Sequence, residues 1–291
     1  MKPHDILPAG NLLGEGIVWD WRRGRLWWTD IQGRRLHCYD WTAGRLEVLA
    51  APERIGSFGL VAGSERLITA FANGIALYDA RERALDWIAQ PDAIVPGVRF
   101  NDGRVDRRGR FWSGTMVEDD AAGAANGSLF CVGRHADIRC HLRDIRISNG
   151  LCTSPDGMQL YFADSPTRTI RVFDLHEPEG DLGPGRVFAV TPEGTQPDGA
   201  TVDADGCVWS AHWGGGCVVR YSPDGRVDRI LPVPASQPTC PCFAGPELDV
   251  LCVTSAIEGL SPSRLEAEPH AGAVFLYRTG NQGLPEPEYQ P

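Results

Sequence analysis

The chain has 291 residues, 42% of them apolar, with 38 acidic against 28 basic side chains and a formal net charge of −10. That length allows one large domain or two smaller ones. The acidic balance, with no Lys/Arg block to offset it, argues against nucleic acid and anionic membrane surfaces as partners and for a neutral small molecule or a cation.

The opening stretch MKPHDILPAGNLLGEG carries no signal-peptide apolar core, and no run approaches the length of a membrane span. Nine cysteines, an odd number, are scattered from Cys38 to Cys252, and only Cys240 and Cys242 lie close together. That pattern suits reduced thiols better than a disulfide framework or a zinc finger, and the expectation is a cytoplasmic protein. The 34 glycines, 22 prolines and nine tryptophans describe short strands and turns more than long helices.

Along the chain, a strand is expected near residues 3–9, and six short stretches then share one pattern. They are LWWT at 26–29, LITA at 67–70, FWSG at 111–114, LYFA at 160–163, VWSA at 208–211 and VLCV at 250–253. Their first residues are 41, 44, 49, 48 and 42 positions apart, a period that suits the four-stranded antiparallel blade of a β-propeller. Further strands follow most of them: GIALYDA, GSLFCVG, TIRVFDL, CVVRYSP and GAVFLYR, each flanked by Gly, Asp or Asn. Turn signals stand at Asp156-Gly157, Asp205-Gly206 and Asp224-Gly225. The chain therefore reads as an all-β, six-bladed β-propeller spanning 1–291 as a single domain. Its ring should close through the N-terminal strand and the last blade. A barrel or paired sandwiches would use as many strands but predict no such period.

The stretch RFNDGRVDRRGRFWSGTM at 99–116 holds two turn-like tripeptides, at 101–103 and 107–109. Gly109 precedes Phe111 as Gly24 precedes Leu26 and Gly206 precedes Val208, so the second tripeptide is the hairpin between strands one and two of a blade. The first must then lie on the innermost strand. Ten or eleven residues before Leu26, Phe111, Leu160 and Val208 stand Glu15, Asn101, Asn149 and Asp198. Equivalent positions on four inner strands ring one mouth of the channel, and carboxylate and amide oxygens are what hard divalent cations prefer. A single Asn-Gly or Asp-Gly ordinarily marks only a turn. Four in register across blades point to a site. Asp102, next along its strand, is expected on the opposite face and is not counted as a ligand.

The segments LGEGIVWD, RFNDGRVDRRGRFWSGTM, SNGLCTSPDG, YFADS, QPDGATVDADGCVWSAHWGGG and PCFAGPELDVLCVTSA, from about residue 10 to residue 278, resemble the senescence marker protein, regucalcin and gluconolactonase family. The resemblance implies a propeller that binds one divalent metal ion (calcium, zinc, manganese, magnesium or ferrous iron) and, in the bacterial branch, hydrolyses sugar lactones. It places metal ligands on Glu15, Asn149 and Asp198, with Asp198 also the catalytic base, and substrate contacts on Arg99, Asn101 and Glu118. A cation weakens a carboxylate as a base, so either Asp198 takes the proton or acidified water on the ion supplies the nucleophile. The implied substrate is a small sugar lactone such as gluconolactone or a pentonolactone, selected by ERIGSFGL at 53–60 and the loop at 117–127. Oligomeric state leaves no signature.

Two other functions remain open on the residues: a calcium-binding or interaction propeller without catalysis, and a metal-dependent esterase or organophosphate hydrolase. A serine hydrolase is disfavoured because GSFG at 56–59 lacks the spacing of a nucleophile elbow, which leaves Ser57 as a residue of the channel mouth in blade two. His212 could line the pocket or be structural. Cys240 and Cys242, near the equivalent position of blade six, read as structural, and Trp27, Trp112 and Trp209 read as blade packing.

Overall fold

The computed structural model describes residues 1–91, 96–118, 126–176 and 180–291. Six antiparallel sheets are arranged around a channel, each led by an inner strand: Gly14–Asp20, Ile55–Val61, Val98–Val105, Ser148–Thr153, Gln196–Val202 and Pro238–Ala244. The inner strands contact one another in cyclic order, and the sixth returns to the first. This is the six-bladed propeller that the repeat period predicts. The six apolar stretches all fall on second strands, and Arg107–Gly109 forms the hairpin turn, with Gly109 N–H donating to Asp106 O at 3.0 Å.

The second strands are apolar on both faces because each blade is covered on both faces. Trp27 packs with Val18, Phe58 and Phe71 between blades 1 and 2, while its neighbours Leu26 and Trp28 pack with Cys242, Cys252 and Leu276 between blades 1 and 6. Alternate residues of one strand thus feed two different cores, and six such wedges lie between six blades. Trp112 and Trp209 sit at the matching place in their own wedges, each donating its indole N–H at 2.8 Å to the aspartate of the preceding turn, Asp106 or Asp203. Trp27 belongs to a wedge in the same way, so all three pack blades together.

Asp5–Leu7 pairs antiparallel with Val274–Arg278 and completes blade 6, so an N-terminal strand closes the ring on the last blade. Two blades exceed four strands. In blade 4 both Asp181–Leu182 and Arg186–Val190 pair with Thr169–His176. In blade 2 the short strand Glu288–Tyr289 lies parallel against the inner strand Ile55–Val61. No helix among the described residues is long and apolar enough to cross a membrane.

Candidate active site

Each inner strand slips register where it reaches one mouth of the channel. In blade 3, Phe100 pairs with Thr115 and Gly103 with Ser113, so Asn101 and Asp102 together oppose Gly114. The same bulge places Gly16 and Ile17, Gly150 and Leu151, Asp198 and Gly199, and Thr239 and Cys240 opposite single partners in blades 1, 4, 5 and 6. A bulge kinks the strand and re-aims its side chains. Gly16 and Gly150 follow Glu15 and Asn149 with φ of +55° and +69°, backbone that a side chain rarely adopts. The Asn-Gly and Glu-Gly pairs are thus marks of a bulge in the inner strand.

The bulges bring Glu15, Asn101, Asn149 and Asp198, with Arg99, into one cavity of about 230 Å³. Leu13, Met116, Ile147, Pro197 and Trp213 supply its apolar lining, and Ser165, Gln196 and Glu258 also line it. Asn101 Nδ2 donates to Ser148 O at 2.9 Å and to Asn149 Oδ1 at 3.2 Å, joining blades 3 and 4. Arg99 is buried and donates from Nη1 to Asn101 Oδ1 at 2.8 Å and to Phe100 O at 2.9 Å, and from Nε to Glu118 Oε1 at 3.0 Å. Glu118 lies beyond the cavity wall, clamped by Arg54 at 2.6 and 2.9 Å as well as by Arg99. Burial acts to raise its pKa, but the hydrogen bonds and charges of the two guanidiniums outweigh burial and hold it below the usual range. The rest of the proposed selector loop, 119–125, lies outside the described residues.

The two carboxylates of the ring stand in the opposite condition. Burial first, and then the charge of Asp102, pushes Glu15 up to about 8. Asp198 is raised well above the carboxylate range by burial, then by Glu15 and Asp102. None of the three has an ion-pair partner among the described residues. Asp102 corrects the expectation from strand alternation: the bulge keeps it in the channel. One of its oxygens accepts from Leu151 N at 2.8 Å, on the inner strand of blade 4 that Asn101 also reaches. As the second residue of its bulge it occupies the position that Ile17, Leu151 and Gly199 hold in blades 1, 4 and 5.

Other candidates leave the cavity. His212 turns into its blade, with its ring 3.2 Å from Tyr221 Oη, and burial lowers its pKa to about 4, which keeps the imidazole neutral. Ser57 is buried in the channel wall against Ser113 Oγ, 3.2 Å away, and not at the mouth. Cys240 is the second residue of the sixth blade's bulge, after Thr239, and does not line the cavity. Its thiol is free and buried, raised by burial and then by Glu15's charge. Ser165 and Trp213 line the cavity although motif reading gave them no role. Ser165 was visible as the last residue of YFADS, but only its contacts give it a purpose.

The donor set suits a hard cation. Among the described residues no three His, Cys, Asp or Glu side chains come together as a cage, so a cation here depends on amide oxygen as well as two carboxylates. Two buried carboxylates without a cationic partner share a proton or take an ion, because burying unpaired charge is costly.

Residues 13–257 match the SMP-30/gluconolactonase/LRE-like region family. A 6-deoxy-6-sulfogluconolactonase of Pseudomonas putida is 37% identical over 285 residues, covering 97% of this chain and 96% of that protein. An L-arabinolactonase of Azospirillum brasilense is 38% identical over 278 residues, covering 94% and 91%. The crystal structure of a calcium-binding protein, regucalcin, from Agrobacterium tumefaciens superposes with a TM-score of 0.93 at 33% identity, covering 100% of this chain and 99% of that one.

Proposed function

This chain belongs to the SMP-30/gluconolactonase/LRE-like family, and from that premise we propose that it hydrolyses a sugar lactone to the open aldonic acid, with one divalent cation held by Glu15, Asn149 and Asp198. The observation that carries the reading is the pair Glu15 and Asp198, buried without a cationic partner among the described residues and lining a cavity of about 230 Å³. That volume lies below the roughly 300–1,000 Å³ of drug-sized sites and suits one monosaccharide ring. Gluconolactone and the pentonolactones are the substrates of choice.

Bound by these oxygens, the cation would supply Lewis acidity toward the lactone carbonyl and toward water. The protein's own groups do the rest. Arg99 has Nη1 and Nε committed to Asn101, Phe100 and Glu118, which leaves Nη2 to donate to a sugar hydroxyl or the ring oxygen. Asn101, anchored to blade 4, sets the lactone over the carboxylates. Asp198 accepts the proton of the attacking water as its oxygen adds to the carbonyl carbon. The ring C–O bond then breaks and the ring oxygen takes the proton back from Asp198 as it leaves, giving the hydroxy acid and restoring the carboxylate. Burial, then the charges of Glu15 and Asp102, raise the proton affinity of Asp198, and a cation bound there would act against them.

The test is a lactone panel, with an aryl ester as comparator, on metal-stripped protein and again with each divalent ion restored. Ion-dependent hydrolysis of polyhydroxylated lactones above the spontaneous rate is expected. Preference for the aryl ester overturns the sugar assignment in favour of an esterase. Cation binding without turnover of any substrate makes this a non-catalytic propeller.

A further inference from the structure

We propose that Ser165 is a positioning residue that, with Asn101 Nδ2 donating to the other end, fixes which end of the Asn149 amide faces the cavity. The inference rests on Asn149 being a cation ligand. Ser165 follows the second strand of blade 4, Gln159–Asp164, and begins the 3₁₀ turn Ser165–Thr167, with its N–H donating to Ile147 O at 3.0 Å. It is 2% exposed, lines the cavity and has no part in the hydrolysis described above.

A serine hydroxyl has one proton, and Ser165 donates it to Pro197 O at 2.7 Å. Toward Asn149 it can then only accept, and Asn149 Nδ2 donates to Ser165 Oγ at 2.9 Å. With its NH₂ committed there, the amide must turn Oδ1 the other way, toward Asn101 Nδ2 and the cavity. The polarity matters because a cation needs the oxygen, whereas a flipped amide presents two N–H dipoles to it. Pro197 directly precedes Asp198, so the same hydroxyl also joins the backbone carrying one ligand to the side chain of another, across blades 4 and 5.

Cation titration of the metal-stripped full chain tests this, using Ca²⁺ with Mn²⁺ and Zn²⁺ in parallel, on the wild type, Ser165→Ala, Ser165→Thr, Asn149→Ala and the double variant Ser165→Ala/Asn149→Ala. Losing the bond that orients the amide should weaken cation binding about tenfold in Ser165→Ala, at a metal-free melting temperature near that of the wild type. Ser165→Thr, which keeps both donor and acceptor, should restore most of the affinity. In the Asn149→Ala background the Ser165→Ala effect should largely vanish, because the amide it orients is gone. An undiminished effect in that background, or wild-type affinity in Ser165→Ala beside a weakened Asn149→Ala, overturns the role of Ser165 and leaves the ligand assignment standing. Wild-type affinity in Asn149→Ala overturns the ligand assignment itself.

Discussion

The two mouths of the channel treat buried charge in opposite ways. At the mouth with the cavity Glu15 and Asp198 line the site, with Asp102 buried close enough for its charge to act on both; none of them has an ion pair among the described residues, and each is raised by burial. Five residues beyond Arg99 on the same inner strand, near the other mouth, Arg104 is buried against Glu286 in a salt bridge. Arg22 there joins Asp20 and Glu288. The C-terminal segment crosses this mouth. Trp21 Nε1 donates to Glu286 O, Gln290 N to Gly109 O, and Tyr289 Oη to Gly133 O. An open cleft of about 600 Å³ beside the segment exceeds the cavity in volume but lacks the carboxylate and amide ring, so size does not locate the chemistry. Where the C-terminal segment closes the channel the buried charges are paired, and at the proposed site Arg99 is paired with Glu118 while the carboxylates Glu15 and Asp198 have no ion pair among the described residues.

The comparison breaks most sharply through the unanswered charges. Asp198→Ala and Asn149→Ala should each cut lactone hydrolysis by more than about 100-fold while the propeller stays folded, read as acid release corrected for spontaneous opening and as circular dichroism. Near-wild-type turnover in either would remove the site assignment. At the other mouth, Glu286→Ala strands Arg104 and should cost about 3–5 kcal/mol in urea unfolding, with activity per folded molecule within about twofold of wild type. Lost activity at unchanged stability would erase the distinction between the mouths.

A pH series sharpens it further. Glu15 binds a proton more tightly folded, at about 8, than unfolded, near 4.5, so its contribution to stability is complete at low pH and is lost as pH rises through about 8. The metal-free protein should therefore drop several degrees in melting temperature from pH 5 to pH 8. Glu15→Gln or added divalent cation should flatten that slope, and a flat wild-type profile would contradict the unpaired carboxylates. The smallest effect belongs to the apolar lining: Trp213→Ala should raise KM about fivefold at nearly constant kcat, since it removes apolar contact for the sugar's C–H face. A fall in kcat alone would place Trp213 in the chemical step instead.

Much of this was legible in the chain. The period between LWWT, LITA and FWSG identified the blades because apolar residues on both faces of a strand require a neighbour on each side. Glu15, Asn101, Asn149 and Asp198 could be found at one repeat position, although their convergence had to be inferred. Asp102 was misread because alternation assumes an unbroken register, and the bulge between Phe100 and Gly103 breaks it. The path of residues 279–291 had no periodicity to reveal it, being held by contacts to Trp21, Arg104 and Gly109.

The sequence by itself determined the strands, the turns, the blade count and the kinds of atoms at the channel mouth, because these follow from local patterns repeated six times. Tertiary structure alone decided that Glu15 and Asp198 have no Arg or Lys partner among the described residues, that Arg104 has its carboxylate, and that Ser165 accepts from Asn149 while donating to Pro197. Proton affinity and hydrogen-bond polarity are sums over neighbours from different blades, and those neighbours meet only when the ring closes.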